Sequence, residues 1–157
     1  MQEVSTRSPT GIELALWFHD VMYDPKQKDN EIQSAHLAKT LLRQLGLNDE
    51  LIDHVADFIL MTRHQSGTFP SDGQLLLDID LSILGSSELH YTQYATAIRK
   101  EFHWVSDADY RFGRSQFLKT FLDRPDHLIT FPANGIPGSV AFVRRHQPSI
   151  FLDKSCV

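Results

Sequence analysis

Ile32, Ala35, Ala38, Leu41, Leu42 and Leu45 recur at intervals of three and four residues, and Gly46 closes the run. That spacing lines one face of an α-helix. It returns through most of the chain and restricts it to an all-α fold. Asp29 or Asn30 is placed to cap this helix. Asn48 opens the next one, with a stripe of Leu51, Ile52, Val55, Ala56, Ile59 and Leu60 that runs to about His64. Ahead of both, Gly11 to Tyr23 is short and almost wholly apolar, and it stops before Pro25. With no polar face it reads as a buried helix. Residues 65–73 hold two Gly, a Pro and two Ser and read as a loop. Leu75 to Leu84 is again densely apolar and ends at Gly85; Ser87 caps a helix through Phe102. Ser106 and Asp109 make a weak capping-box match that opens a helix to about Arg124, where Pro125 ends it.

Beyond Pro125 the pattern is lost. Pro132, Gly135, Pro137, Gly138 and Pro148 interrupt the remainder, and no period survives more than a few positions. The expected organisation is one helical domain over residues 1–124, with a polar lead at its start, followed by an irregular tail over 125–157.

A chain of 157 residues with 41% hydrophobic residues has the size and composition of one globular domain. No apolar stretch approaches the roughly 20 residues that span a bilayer, and no secretory leader is readable, so no membrane partner is expected. Cys156 stands alone, which excludes an intramolecular disulfide framework and any multi-cysteine metal site. A reducing cytoplasmic setting is the default expectation. A formal net charge of −5 argues against a general affinity for DNA. The chain also carries eight His, and Asp outnumbers Glu fourteen to six, which leaves a metalloenzyme open. No phosphate-binding glycine loop, no Gly-x-Ser-x-Gly elbow and no His-Glu-x-x-His is present.

Three places put polar groups among apolar ones. His19-Asp20 closes the run Ile12 to Tyr23, where Leu16, Trp17 and Tyr23 would surround the carboxylate on a continuing helix. A carboxylate in such company needs a cation or several donors. With this many His and Asp, roughly one such dipeptide is expected by chance, so a satisfied core histidine is an equally valid reading. Asp78 and Asp80 lie about 200° apart on a helix and cannot face one site. Asp80 has Leu76, Leu77, Ile83 and Leu84 at its contact positions and is expected to be the buried one. Asp78, beside Gln74 and Ser82, is expected to be solvated. Asp80 could equally pair with an arginine in the core. His64, at the end of the third helix, either complements the helix dipole or joins a site. The remaining histidines lie on polar faces or in loops and carry no signal.

Ala15-Leu16-Trp17-Phe18-His19-Asp20-Val21-Met22-Tyr23-Asp24-Pro25, followed by Asp29-Asn30-Glu31 and Ser34-Ala35, resembles a bacterial family of predicted metal-dependent phosphohydrolases of the HD superfamily. The resemblance continues in order through Thr62-Arg63-His64, Leu77 to Gly85, Tyr91 to Tyr94, Ile98 to Phe102, and Gly113-Arg114 through Arg124. It spans about residues 12 to 131. It implies an HD-type helical bundle whose mixed imidazole and carboxylate shell holds a divalent ion: Mn, Zn, Fe or Mg. Such an ion yields hydroxide from water near neutral pH and acts on a nucleotide or another small phosphate ester. Carried over residue by residue, His19, Asp20 and Asp80 match metal ligands. His64 matches an acid or phosphate contact, Asp24 and Glu31 could orient water, and Arg63, Arg99 and Arg114 could contact the substrate anion.

The family also places a first His ligand on a preceding helix, in a segment like Arg-x-Tyr-His, and residues 1–18 contain no His. The family's closing helix likewise has no counterpart in the Pro- and Gly-bearing tail. The expected activity is therefore set beside an alternative: an HD-fold remnant that binds metal or nucleotide, or mediates contacts, without turnover. Self-association is expected if an apolar face is left uncovered.

Overall fold

The α2 helix, Asn30–Gln44, ends in the way its sequence prescribes. Gly46 adopts φ +78°, a left-handed conformation that glycine reaches without a steric penalty. Its N–H donates to the Arg43 carbonyl at 3.0 Å, and the Leu47 N–H donates to Leu42 at 3.2 Å. This is the paired closure of a Schellman motif, and it returns the chain at once into α3, Asp49–Met61. Asn48 caps α3 by accepting from the Leu51 N–H at 2.8 Å. The computed structural model describes residues 6–64 and 69–122, and every regular element among them is helical. The all-α class follows directly. The tail over 125–157 lies outside the described residues.

The other elements are α1 (Pro9–Phe18), α4 (Ser71–Asp80), a 3-10 turn (Leu81–Gly85), α5 (Glu88–Glu101) and α6 (Asp107–Leu122). Backbone contacts divide the chain into two compact units, Met1–Asp80 and Leu81–Val157.

In the first unit, α3 packs on both α1 and α2, and α4 lies against α1 and α3. Ile12 and Ala15 of α1, Ala35, Ala38 and Leu42 of α2, Ile52, Val55, Phe58 and Ile59 of α3, and Leu75 to Leu77 of α4 are buried. Gly11 is what lets α1 approach α3. A Cβ there would stand 2.5 Å from Ser8 Oγ and 3.3 Å from the Phe58 ring.

Asp72, in the first turn of α4, fastens the opposite end of α1. Its carboxylate accepts from the Arg7 N–H at 3.0 Å and the Ser8 N–H at 2.8 Å, just ahead of the first helical turn. A negative charge at a helix N-terminus also complements the dipole. Asp72 is itself buried, so Asp72→Ala leaves two amides without their acceptor. We expect that substitution to lower stability by about 1–3 kcal/mol, read as a fall in the urea midpoint at unchanged slope.

The second unit has its own small core, Leu81 and Leu84 from the 3-10 turn with Leu118 and Phe121 from α6, bordered by Tyr91, Tyr94 and Phe117. Ser87 and Ser106 cap α5 and α6. Ser106 Oγ accepts from the Asp109 N–H at 3.2 Å and donates to Asp109 Oδ2 at 2.6 Å.

Three expectations are corrected. The helix expected over Gly11 to Tyr23 stops at Phe18, and Trp17 is 77% exposed rather than buried. The dense run Leu75 to Leu84 is two elements: α4 begins earlier, at Ser71, so Asp72 and Gly73 are helical rather than loop, and it tightens into the 3-10 turn after Asp80. Asp78, expected in solvent, is the more buried of the two aspartates at 8%, against 18% for the Asp80 side chain. The reason is that α4 is covered nearly all round, from Asp72 through Asp78, while Ser82, which is exposed, lies in the 3-10 turn and continues no face of α4.

Candidate functional site at three helix ends

His19 caps α1 at its C-terminus. Its backbone is still helical, and its N–H reaches the Ala15 carbonyl at 2.8 Å. The ring is fixed by Nδ1, which lies 2.9 Å from the Leu16 carbonyl. With that nitrogen donating, Nε2 of the neutral ring carries the lone pair and faces away from the helix. Nε2 lies 3.3 Å from Asp20 Oδ2 and 3.2 Å from Asp80 Oδ1. The other oxygen of Asp80, Oδ2, meets His64 Nε2 at 3.3 Å. Two imidazoles and two carboxylates from the ends of α1, α3 and α4 are thus brought together within the first unit.

α1 and α3 end at the cluster, whereas α4 runs on into the 3-10 turn at Asp80. A helix C-terminus carries about half a negative charge, so two of them add to the two carboxylates. The result is a place built for positive charge. Hydrogen bonding to Asp80, aided by the Asp20 charge, lifts the His19 pKa from 6.5 to about 9. Burial works against the charge on Asp80. Hydrogen bonds from His19 and His64 more than offset it, and they hold the carboxyl at about 2.

His64 reaches Asp80 by an unusual route. It has φ +53°, the one left-handed non-glycine residue among the described residues. Histidine tolerates that region better than most residues, but the conformation still costs of order 1 kcal/mol. It follows the C-cap Thr62, whose hydroxyl donates to the Ile59 carbonyl at 2.6 Å and ends α3 there. A left-handed residue just past a helix C-cap is a common helix ending; here it also delivers the imidazole to a carboxylate.

Asp20 departs from its expected setting. It lies beyond α1 and its side chain is 62% exposed, not enclosed by Leu16, Trp17 and Tyr23. The segment after it is claimed by α2 instead. Ser34, buried in α2, accepts from the Met22 N–H at 3.1 Å and donates to the Met22 carbonyl at 3.3 Å. Asn30 does the same for Asp24, with the Asp24 N–H to Oδ1 at 3.0 Å and Nδ2 to the Asp24 carbonyl at 2.9 Å. Asp29, the N-cap of α2, makes no side-chain capping bond; its carboxylate accepts from Gln33. The signal for this arrangement is a serine on the apolar face of α2, beside Ala35 and Ala38.

The remaining candidates lie apart from the cluster's bonds. The Asp24 carboxylate accepts from the Lys26 N–H at 2.9 Å in a local turn, and Glu31 sits in the first turn of α2. Arg63, next to His64, is exposed. Arg99 and Arg114 belong to the second unit. Arg99 donates to the Phe102 and Val105 carbonyls and to Asp107, and lies over the Tyr110 ring, tying the end of α5 to the start of α6. Arg114 is stacked against Tyr94 and Phe117, its guanidinium carbon 5.2 Å from each ring centre.

Two donors sharing an ion at about 2.1 Å stand about 3.0 Å apart in octahedral and about 3.4 Å apart in tetrahedral geometry. The 3.2 and 3.3 Å separations from His19 to the two carboxylates fall in that interval. The donor chemistry, one imidazole held by its far nitrogen and two carboxylates, suits a borderline divalent ion. Among the described residues, no group of three or more His, Cys, Asp or Glu side chains is arranged so that it could hold a metal ion. Comparison with family models, curated proteins and solved structures returns no match. Among the described residues no helix is long and apolar enough to cross a membrane.

Proposed function

We propose that this chain is a metal-dependent phosphohydrolase of the HD type, acting on a nucleotide or another small phosphate ester. The observation that carries the reading is the placing of His19 Nε2 within 3.3 Å of both Asp20 and Asp80. His19, Asp20 and Asp80 would hold the divalent ion. When bound, it would supply the positive charge that makes water nucleophilic and neutralises phosphoryl oxygens.

The chain's own groups do the rest. Nδ1 of His19, bonded to the Leu16 carbonyl, fixes the ring so that Nε2 is the coordinating atom. His64, held against Asp80 Oδ2, orients that carboxylate and is placed to give a proton to a leaving oxygen. Asp20, the most exposed of the three, is the one most open to solvent. The C-termini of α1 and α3 at the cluster support the same reading, because they favour a cation over a phosphate alone.

Elemental analysis of protein purified without chelator should find close to one divalent ion per chain, and at least tenfold less in Asp20→Ala. Hydrolysis of an aryl phosphate with added manganese should likewise exceed the Asp20→Ala background. Equal, sub-stoichiometric metal in the two proteins would overturn the metal site. Stoichiometric metal without turnover would leave a binding module in place of an enzyme.

A further inference from the structure

We infer that Asn30 and Ser34 are positioning residues, which hold residues 22–24 against α2 and thereby keep Asp20 at the His19–Asp80 cluster; this rests on the metal site proposed above. The basis is a pair of reciprocal bonds. Asn30 and Ser34 are one turn apart on α2, which separates them by about 6 Å along the axis. Met22 and Asp24 are two apart on the non-helical segment after α1, which bends at Val21 and Met22. Ser34 meets Met22 and Asn30 meets Asp24, and each satisfies both the N–H and the carbonyl of its partner. A hydroxyl can donate and accept at once, and a primary amide can do both through separate atoms, so these two residue types suit the task.

The clasp has a direct competitor. Trp17 to Tyr23 is apolar enough to prolong α1, and its sequence favours doing so. If α1 continued, the Met22 and Asp24 backbone groups would bond within the helix, and Asp20 would turn with it, about 100° from His19. By claiming those groups, Asn30 and Ser34 end α1 at Phe18 and leave Asp20 Oδ2 beside His19 Nε2. Pro25 helps, because the residue before a proline disfavours the helical region.

The test uses the full chain, amide hydrogen exchange and manganese titration. In the wild type, the Met22 and Asp24 amides should be protected. In Asn30→Ala the Asp24 amide, and in Ser34→Ala the Met22 amide, should exchange at least tenfold faster, while protection within α3 is unchanged. Both variants should bind manganese at least tenfold more weakly. Asn30→Asp, which keeps the acceptor for the Asp24 N–H, should recover Asp24 protection and most of the affinity. Asn30 is only half-buried and its alanine variant should fold, so a Ser34 variant that fails to fold leaves the test intact. Unprotected Met22 and Asp24 amides in the wild type would overturn the inference, as would wild-type affinity in deprotected variants. A wild type that binds no manganese overturns the metal site itself, and the clasp is then judged by the exchange of those two amides alone.

Discussion

Asp80→Ala is expected to reduce aryl phosphate hydrolysis to background and to weaken divalent metal binding by at least two orders of magnitude. Asp80 touches both His19 and His64, with Oδ1 on His19 and Oδ2 on His64. Removing it deletes a ligand and releases both imidazoles from their common anchor. Metal affinity falls about 10- to 100-fold when only a supporting group is lost, so loss of a ligand that also orients its neighbours should exceed that range. The same variant has a signature that needs no metal. The His19 pKa, raised to about 9 chiefly by its bond to Asp80, should fall toward 6.5 in an NMR titration of the metal-free protein. Asp80→Asn keeps the shape but not the charge and should show the same fall in part. A His19 pKa unmoved by either substitution would contradict the ion pair described here.

The second large effect is the dependence of the site on pH. The folded pKa of His19 lies above its unfolded value, so the ion pair stabilises the metal-free fold fully below about pH 6.5. That contribution is lost as pH rises from 6.5 to about 9. Asp80 is depressed to about 2, so its side of the same pair is present above pH 3.8 and lost as pH falls toward 2. The two shifts describe one interaction and are counted once. A displacement from 6.5 to about 9 corresponds to roughly 3.4 kcal/mol at 1.36 per unit, and the partial solvation of the ring reduces it to about 2 kcal/mol. Urea unfolding of metal-free protein should therefore show a plateau between about pH 4 and 6.5, followed by a decline toward pH 9. Metal binding should run the other way, because the ion competes with the His19 proton. Apparent affinity should rise about fiftyfold from pH 7 to pH 9. Calorimetry in buffers of different ionisation enthalpy should register about one proton released per ion at neutral pH.

Most helices could be read from side-chain spacing because their ends carry local chemistry: Asn48, Ser87, Ser106 with Asp109, and Gly46 each act within four residues of where they stand. The end of α1 could not. Its own sequence favours continuation, and what stops it is a serine and an asparagine supplied by another helix. Asp20 was accordingly expected inside a helix and is found beyond one. The histidines and aspartates of the candidate site were visible as polar groups in apolar runs, yet their mutual distances depend on where three separate helices stop. Asp78 shows the same limit: Gln74 and Ser82 suggested an open face, but burial of α4 is set by what packs around it.

A site assembled from helix termini is a site assembled from the parts of helices that open first. Terminal turns fray because their last carbonyls lack partners within the helix. Residues His19 and His64 sit at or just beyond such turns. In the metal-free protein these two turns should open well before the cores of α2 and α3. A bound cation would then act as a fastener on the molecule's loosest stitching, and exchange at the last amides of α1 and α3 should slow in concert when it binds.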